Sequence, residues 1–241
     1  MSLLAKSAYF HNMKHLILSL FATFIFACAS NHTAEKSKLG QNFALSKNCL
    51  QDPVLQKIRS EELQKIVTED QDDRKVRPID WNKVYPRDVV RIKRVGEIFA
   101  EGCVSTGKDY AAAALVFQHG DHPDHYLQTY LWHKRAGELG EAGNKSLMLA
   151  ALDRYLVSTG HKQLFATQYS KAGEAKCTCL QDIEETFPEM KRVQMGGTTI
   201  KKALEYVQKE HEGKPECQNI TICRSGLKST AKGVLPFPGI W

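Results

Sequence analysis

Two positions in this 241-residue chain put groups that can move protons on helix faces that should be buried. Asp153 has Leu149 and Ala150 one turn before it and Leu156 and Val157 one turn after, a spacing that sets its carboxylate on an apolar face. An ionised carboxylate there carries a heavy desolvation cost, so it is either neutral or met by a cation or several donors. His119, Arg94, Arg135 and Arg154 are the candidate partners. His119 follows Leu115 and Val116 by one turn and ends a helix, where the helix dipole favours imidazolium. The sequence therefore predicts a His119–Asp153 pair. As chemistry, His119 is the candidate general base, Asp153 its orienting acid, and Arg154 with Gln168 the binders of an anion or a carbonyl. Hydrolysis by an activated water is the simplest reaction those roles fit. Thr167 is the one nearby candidate nucleophile, and no G-x-S-x-G elbow accompanies it. The alternative is that Gln118, His119, Asp153, Arg154 and Gln168 form a satisfied polar network that fixes helix packing.

The helices that would carry these groups are clearly punctuated. Pro53 opens one, with Val54, Leu55, Ile58, Leu63, Ile66 and Val67 at helical spacing up to the acidic run Glu69 to Asp73. An irregular link through Pro78, Trp81 and Tyr85 is expected next, then a helix beginning at Pro86. Asp109 is the expected cap of a helix from Tyr110 to His119. Asp121 or His122 with Pro123 starts another that stops at Gly140, and a third runs from the Asn144 cap to Gly160. Short links imply neighbouring, roughly antiparallel helices. The expected fold is mainly α, a helical bundle or short helical-repeat-like stack over 48–169. After Gly160 the pattern weakens. An extension over 170–241 is expected to hold a helix over 199–208, a short strand around Ile220 to Ile222 and a small irregular cysteine-bearing tail.

Gln118-His119, Asp153-Arg154 and Gly160-x-x-Gln163-x-x-x-Thr167-Gln168 resemble the QH, DR and G-x-x-Q-x-x-x-T-Q signatures of an uncharacterised bacterial domain-of-unknown-function family. The likeness covers roughly 84–169. The resemblance adds Gln118, Gln163 and Thr167 as ligand-binding candidates and carries no activity with it. Tyr130 to Gly140 is similar to half of a Sel1-like repeat, but a repeat stack needs at least three units and one is visible.

Met13 to Cys28 resembles a bacterial lipoprotein signal. Lys14 and His15 precede an apolar run, and Ile25-Phe26-Ala27-Cys28 stands where a lipobox would. The run Leu16 to Ala29 falls short of the roughly 20 residues that span a bilayer. The resemblance implies a signal peptide over 1–27, with Met13 a candidate true start, and lipidation of Cys28, palmitate among the chains. A polar linker then follows to residue 47. By analogy, Ala29 and Ser30 in place of Asp imply an outer-membrane address facing the periplasm.

With Cys28 assigned to lipid, Cys49, Cys103, Cys177, Cys179, Cys217 and Cys223 form an even set, as an exported chain with disulfides would have. Crossed pairs between Cys177/Cys179 and Cys217/Cys223 leave Cys49 for Cys103. The alternative keeps Cys103 as a free buried thiol.

The formal charge of +6 is spread among acidic residues rather than gathered in a stripe, so no nucleic-acid partner is expected. His119 to His125 crowds imidazoles and carboxylates into one turn. Pro123 breaks the register, however, and such residues are ordinary helix caps, so neither metal nor cofactor is expected. The role expected first is binding or interaction at the cell envelope, with an envelope protein or peptide as partner besides the membrane. A hydrolase built on His119 and Asp153 is the alternative.

Overall fold

The structure is a computed structural model that describes residues 48–142, 145–233, 235 and 240. The signal over 1–27, Cys28 with its linker, the Asn144 cap and most of the terminal segment lie outside the described residues. All described residues belong to the unit Lys47–Trp241.

Helix α1, Pro53–Asp72, starts from Asp52, whose carboxylate accepts from the Leu55 amide at 2.9 Å, with Pro53 in the first turn. It buries Leu63, Ile66 and then Asp70 at three- and four-residue steps. Helix α2, Trp81–Ala100, buries Val84, Asp88, Arg91, Val95 and Ile98 at the same steps. Along α1 the buried stripe changes from apolar to charged, and along α2 it is charged at Asp88 and Arg91, between Val84 and the apolar Val95 and Ile98. Leu63, Ile66, Val95 and Ile98 enter an apolar cluster with Val116 and Trp132, while Asp88 pairs with Arg91 and Asp70 with Arg74.

Helix α2 begins at Trp81, five residues before the expected start, with Pro86 inside it. Proline removes a hydrogen bond to the carbonyl four residues back. That residue is Asn82, which is exposed, so its carbonyl is left to solvent. Buried Val84 then holds the first turn on the core.

Helix α3, Gly107–Phe117, is capped by Thr106 in a reciprocal box with Asp109, three residues ahead of the expected cap. Helix α4, Pro123–Glu138, has His122 as its cap, and α5, Lys145–Ser158, ends before Gly160, which adopts φ +81°. In succession α3 packs on α4 and α4 on α5, with α1 and α2 against α3. The chain is mainly helical, as its punctuation predicts.

The C-terminal region holds an unexpected hairpin. Strands β1, Tyr169–Ala172, and β2, Cys177–Leu180, pair antiparallel with Tyr169 opposite Leu180. The expected strand at Ile220 to Ile222 is reduced to a single bridge from Ile222 to Leu180. Helix α6 is Glu189–Gln194. Helix α7, Ile200–Glu210, capped by Thr199, lays Ala203 and Val207 against the strand pair. Disulfides join Cys49 to Cys103, Cys177 to Cys217 and Cys179 to Cys223. Cys103 is therefore not a free thiol, and the other two bridges staple β2 to the tail as the crossed pairing predicts.

Candidate functional site

Asp153 is fully buried, as its apolar neighbours require. The expected pairing with His119 is not formed. Asp153 instead accepts from the amides of Leu164, Phe165 and Thr167 at 2.7–3.1 Å and from Thr167 Oγ1 at 2.8 Å. None of the expected cations reaches it either. Arg94 pairs with Glu62 and Glu97, Arg135 with Glu138, and Arg154 points to other acceptors. Burial pushes the Asp153 carboxyl up to about 6, against the downward pull of its four donors. Its role is to anchor a turn. Within that turn Ala166 holds φ +59°, a left-handed conformation that costs a residue with a Cβ about 1 kcal/mol or more and persists only where the surroundings fix it. Gln163 clamps the same turn, donating to the carbonyls of Gln168 and Gln181 and accepting from the Gln168 amide.

His119 turns to α1. Its Nδ1 lies 3.0 Å from Oδ1 of Asp70, which is fully buried. Burial pushes the Asp70 carboxyl up. The hydrogen bond and charge of His119, the charge of Arg74 and the Gln71 amide outweigh it and hold the group below the usual carboxylate range. Asp70 is therefore ionised at neutral pH and can only accept, so Nδ1 carries the proton and Nε2 is the ring's remaining nitrogen. Behind the pair, Arg74 donates to Asp70 at 3.1 Å and to Asp88 at 2.6 Å, Arg91 bridges Asp88 and Asp73, and Arg87 reaches Asp73 at 3.1 Å. Three guanidinium groups and three carboxylates balance there.

Arg154 does not balance. Its guanidinium donates to the Gln118 carbonyl at 2.7 Å and to Gln168 Oε1 at 3.3 Å and stacks over the Tyr126 ring, but no carboxylate pairs with it among the described residues. Burial lowers its pKa, with no opposing carboxylate charge.

Arg154, His119 and Arg74 meet at a cleft of about 340 Å³, which Arg77, Trp81 and Tyr85 also line. Gly120 forms part of its wall. A Cβ on Gly120 would stand 2.3 Å from Nδ1 of His125, so a side chain at that position displaces the ring.

No protein-family model, curated protein or solved structure matches the chain. His122 and His125 face the start of the helix. The Asp124 amide donates to Nδ1 of His122 and the His122 amide to Nδ1 of His125, so the two rings close the start of α4. Among the described residues no cluster of three or more metal-ligating side chains occurs.

Of the residues singled out from the sequence, His119 and Arg154 reach the cleft. Gln118 supplies a carbonyl to Arg154, Gln168 steadies the same guanidinium, and Asp153, Gln163 and Thr167 build the turn that holds Gln168. Sequence reasoning missed Asp70, Arg74, Asp88 and the aromatic wall. A signal existed: Asp70 continues the Leu63, Ile66 stripe, and Arg74 follows it by four residues, the spacing of a helical ion pair.

Proposed function

We propose that this chain is a lipid-anchored cell-envelope protein whose cleft binds an anionic ligand. The anchor rests on the lipobox-like segment ending at Cys28. The cleft reading rests on one observation, the Arg154 guanidinium, withdrawn from water and lacking a carboxylate partner, beside a cleft that Arg77 and His119 also border. A buried charge without a counter-ion is costly, and a bound anion relieves that cost. Arg77, which lines the cleft, has no ion pair among the described residues and adds a second positive charge.

Calorimetric titration of the full chain in detergent with phosphate, sulfate, acetate and succinate tests the reading. At least one anion is expected to bind, and Arg154→Gln is expected to weaken it about 10- to 100-fold, the value of one or two charge-assisted hydrogen bonds. Arg77→Gln, at an exposed position, is expected to weaken it less while leaving the melting temperature unchanged. Absence of binding by all four anions defeats the proposal. Loss of palmitate labelling in Cys28→Ser tests the anchor separately.

A hydrolase is the second reading, and the His119–Asp70 pair favours it. A buried carboxylate that fixes Nδ1–H leaves Nε2 as a base for water. Ester turnover that disappears in His119→Gln while anion affinity survives supports this reading over simple binding.

A further inference from the structure

The cleft has an aromatic side that the anion reading does not use. Trp81 and Tyr85 stand one turn apart at the start of α2, both line the cleft, and they are 58% and 51% exposed. The Tyr85 hydroxyl is committed, donating to Oδ2 of Asp121 at 2.7 Å. Asp121 repels a second negative charge at that end, so what the two rings offer a ligand is their faces, to an uncharged group.

The charged side has a definite stoichiometry. Asp88 also lines the cleft, but Arg74 and Arg91 bracket it, and Asp70 is met by Arg74 and His119. Arg77 and Arg154 remain as two positive charges without carboxylates among the described residues, and His119 Nε2 is a further polar contact. A carboxylate offers one charge and two oxygens. A phosphomonoester offers about −1.5 to −2 at pH 7 and three acceptor oxygens, which suits two guanidinium groups and an imidazole. The volume of about 340 Å³ lies near the lower end of the roughly 300–1,000 Å³ of small-ligand sites, room for one ring and one phosphate rather than a polymer.

We propose that the ligand is a phosphomonoester carrying a planar ring, a nucleoside monophosphate being the simplest, with its phosphate on Arg154 and Arg77 and its ring stacked on Trp81. This rests on the anion-binding reading and specifies its ligand.

Calorimetry on the full chain in detergent compares the adenosine, guanosine, cytidine and uridine monophosphates with ribose 5-phosphate, inorganic phosphate and succinate. At least one nucleotide is expected to bind tenfold or more tightly than ribose 5-phosphate, the gain of a stacked base. Trp81→Ala is expected to bring the two within about twofold and to leave the affinity for inorganic phosphate unchanged. Trp81 is exposed, so its removal should spare the fold, and an unchanged melting temperature checks this. Equal affinity for nucleotides and ribose 5-phosphate, or a nucleotide advantage that survives Trp81→Ala, overturns the ring assignment and leaves the anion reading standing. Binding of succinate without any phosphate ester overturns the phosphate assignment alone. Silence from every anion removes both.

Discussion

Asp153→Ala is expected to lower the unfolding free energy by about 3–5 kcal/mol, since it strands buried donors that have no other acceptor, each worth about 1–3 kcal/mol before relaxation. Three of the four donors are backbone amides of one turn, so the loss should melt that turn first. Gln168, just beyond the turn, steadies Arg154, and anion affinity should fall with it. Asp153→Asn is the gentler variant. It keeps one acceptor oxygen but sets an amide nitrogen against the same donors, for a loss of about 2–3 kcal/mol.

The pH dependence has a defined sign. The folded carboxyl is pushed up to about 6, above its ordinary value of 3.8, so between those values the folded state binds more proton than the unfolded chain. The contribution of Asp153 is therefore full below pH 3.8. It declines as pH rises towards 6, by at most about 1.4 kcal/mol per pH unit, and is level beyond. Urea unfolding from pH 3.5 to 7.5 should show the difference between wild type and Asp153→Asn narrowing through that window. A difference constant with pH would contradict this assignment.

Periodicity and punctuation made the helices and the buried carboxylate legible, because both follow from neighbours within one turn. The apolar residues around Asp153 required its burial and its need for donors, and both are observed. They could not name the partner. His119 meets a residue 49 positions away, and which helix faces which is decided by packing rather than by spacing. The acidic run Glu69 to Asp73 has no apolar residue to mark a buried face, yet Asp70 and Asp73 point into the arginine network. The expected helix start at Pro86 hid the first turn of α2 and with it Trp81 and Tyr85. The hairpin was missed because four-residue strands with Ser170, Lys171 and Thr178 show little apolar alternation. Disulfides and burial, more than strand propensity, hold them. The signature residues fare differently. Gln163, Thr167 and Gln168 have a common structural purpose, the turn that carries support to Arg154.

Arg74→Met should be the most informative change to the wall itself. The Arg74 side chain is 13% exposed and lies between Asp70 and Asp88, both buried. Methionine retains most of the packing and removes both ion pairs, leaving Asp70 to His119 and Gln71 and Asp88 to Arg91. Stranding buried carboxylates costs about 3–5 kcal/mol, well above the 0–1 kcal/mol of an exposed pair. Adding Asp88→Asn should therefore recover part of the stability, because it removes a buried charge that has lost one of its two guanidinium partners. The acid limb should move as well. The Asp70 carboxyl lies below its ordinary value partly through the Arg74 charge, so its contribution is present above pH 3.8 and is lost as pH falls through the lowered value. Without Arg74 the lowered value moves back towards 3.8, so that loss should be smaller and complete at higher pH. A cost under about 1 kcal/mol, or no recovery with Asp88→Asn, would mean that these groups are solvated and that the network does not shape the cleft. Anion affinity separates the roles of the arginines: Arg74 is already neutralised, so its replacement should weaken binding less than Arg154→Gln does, although it costs more stability.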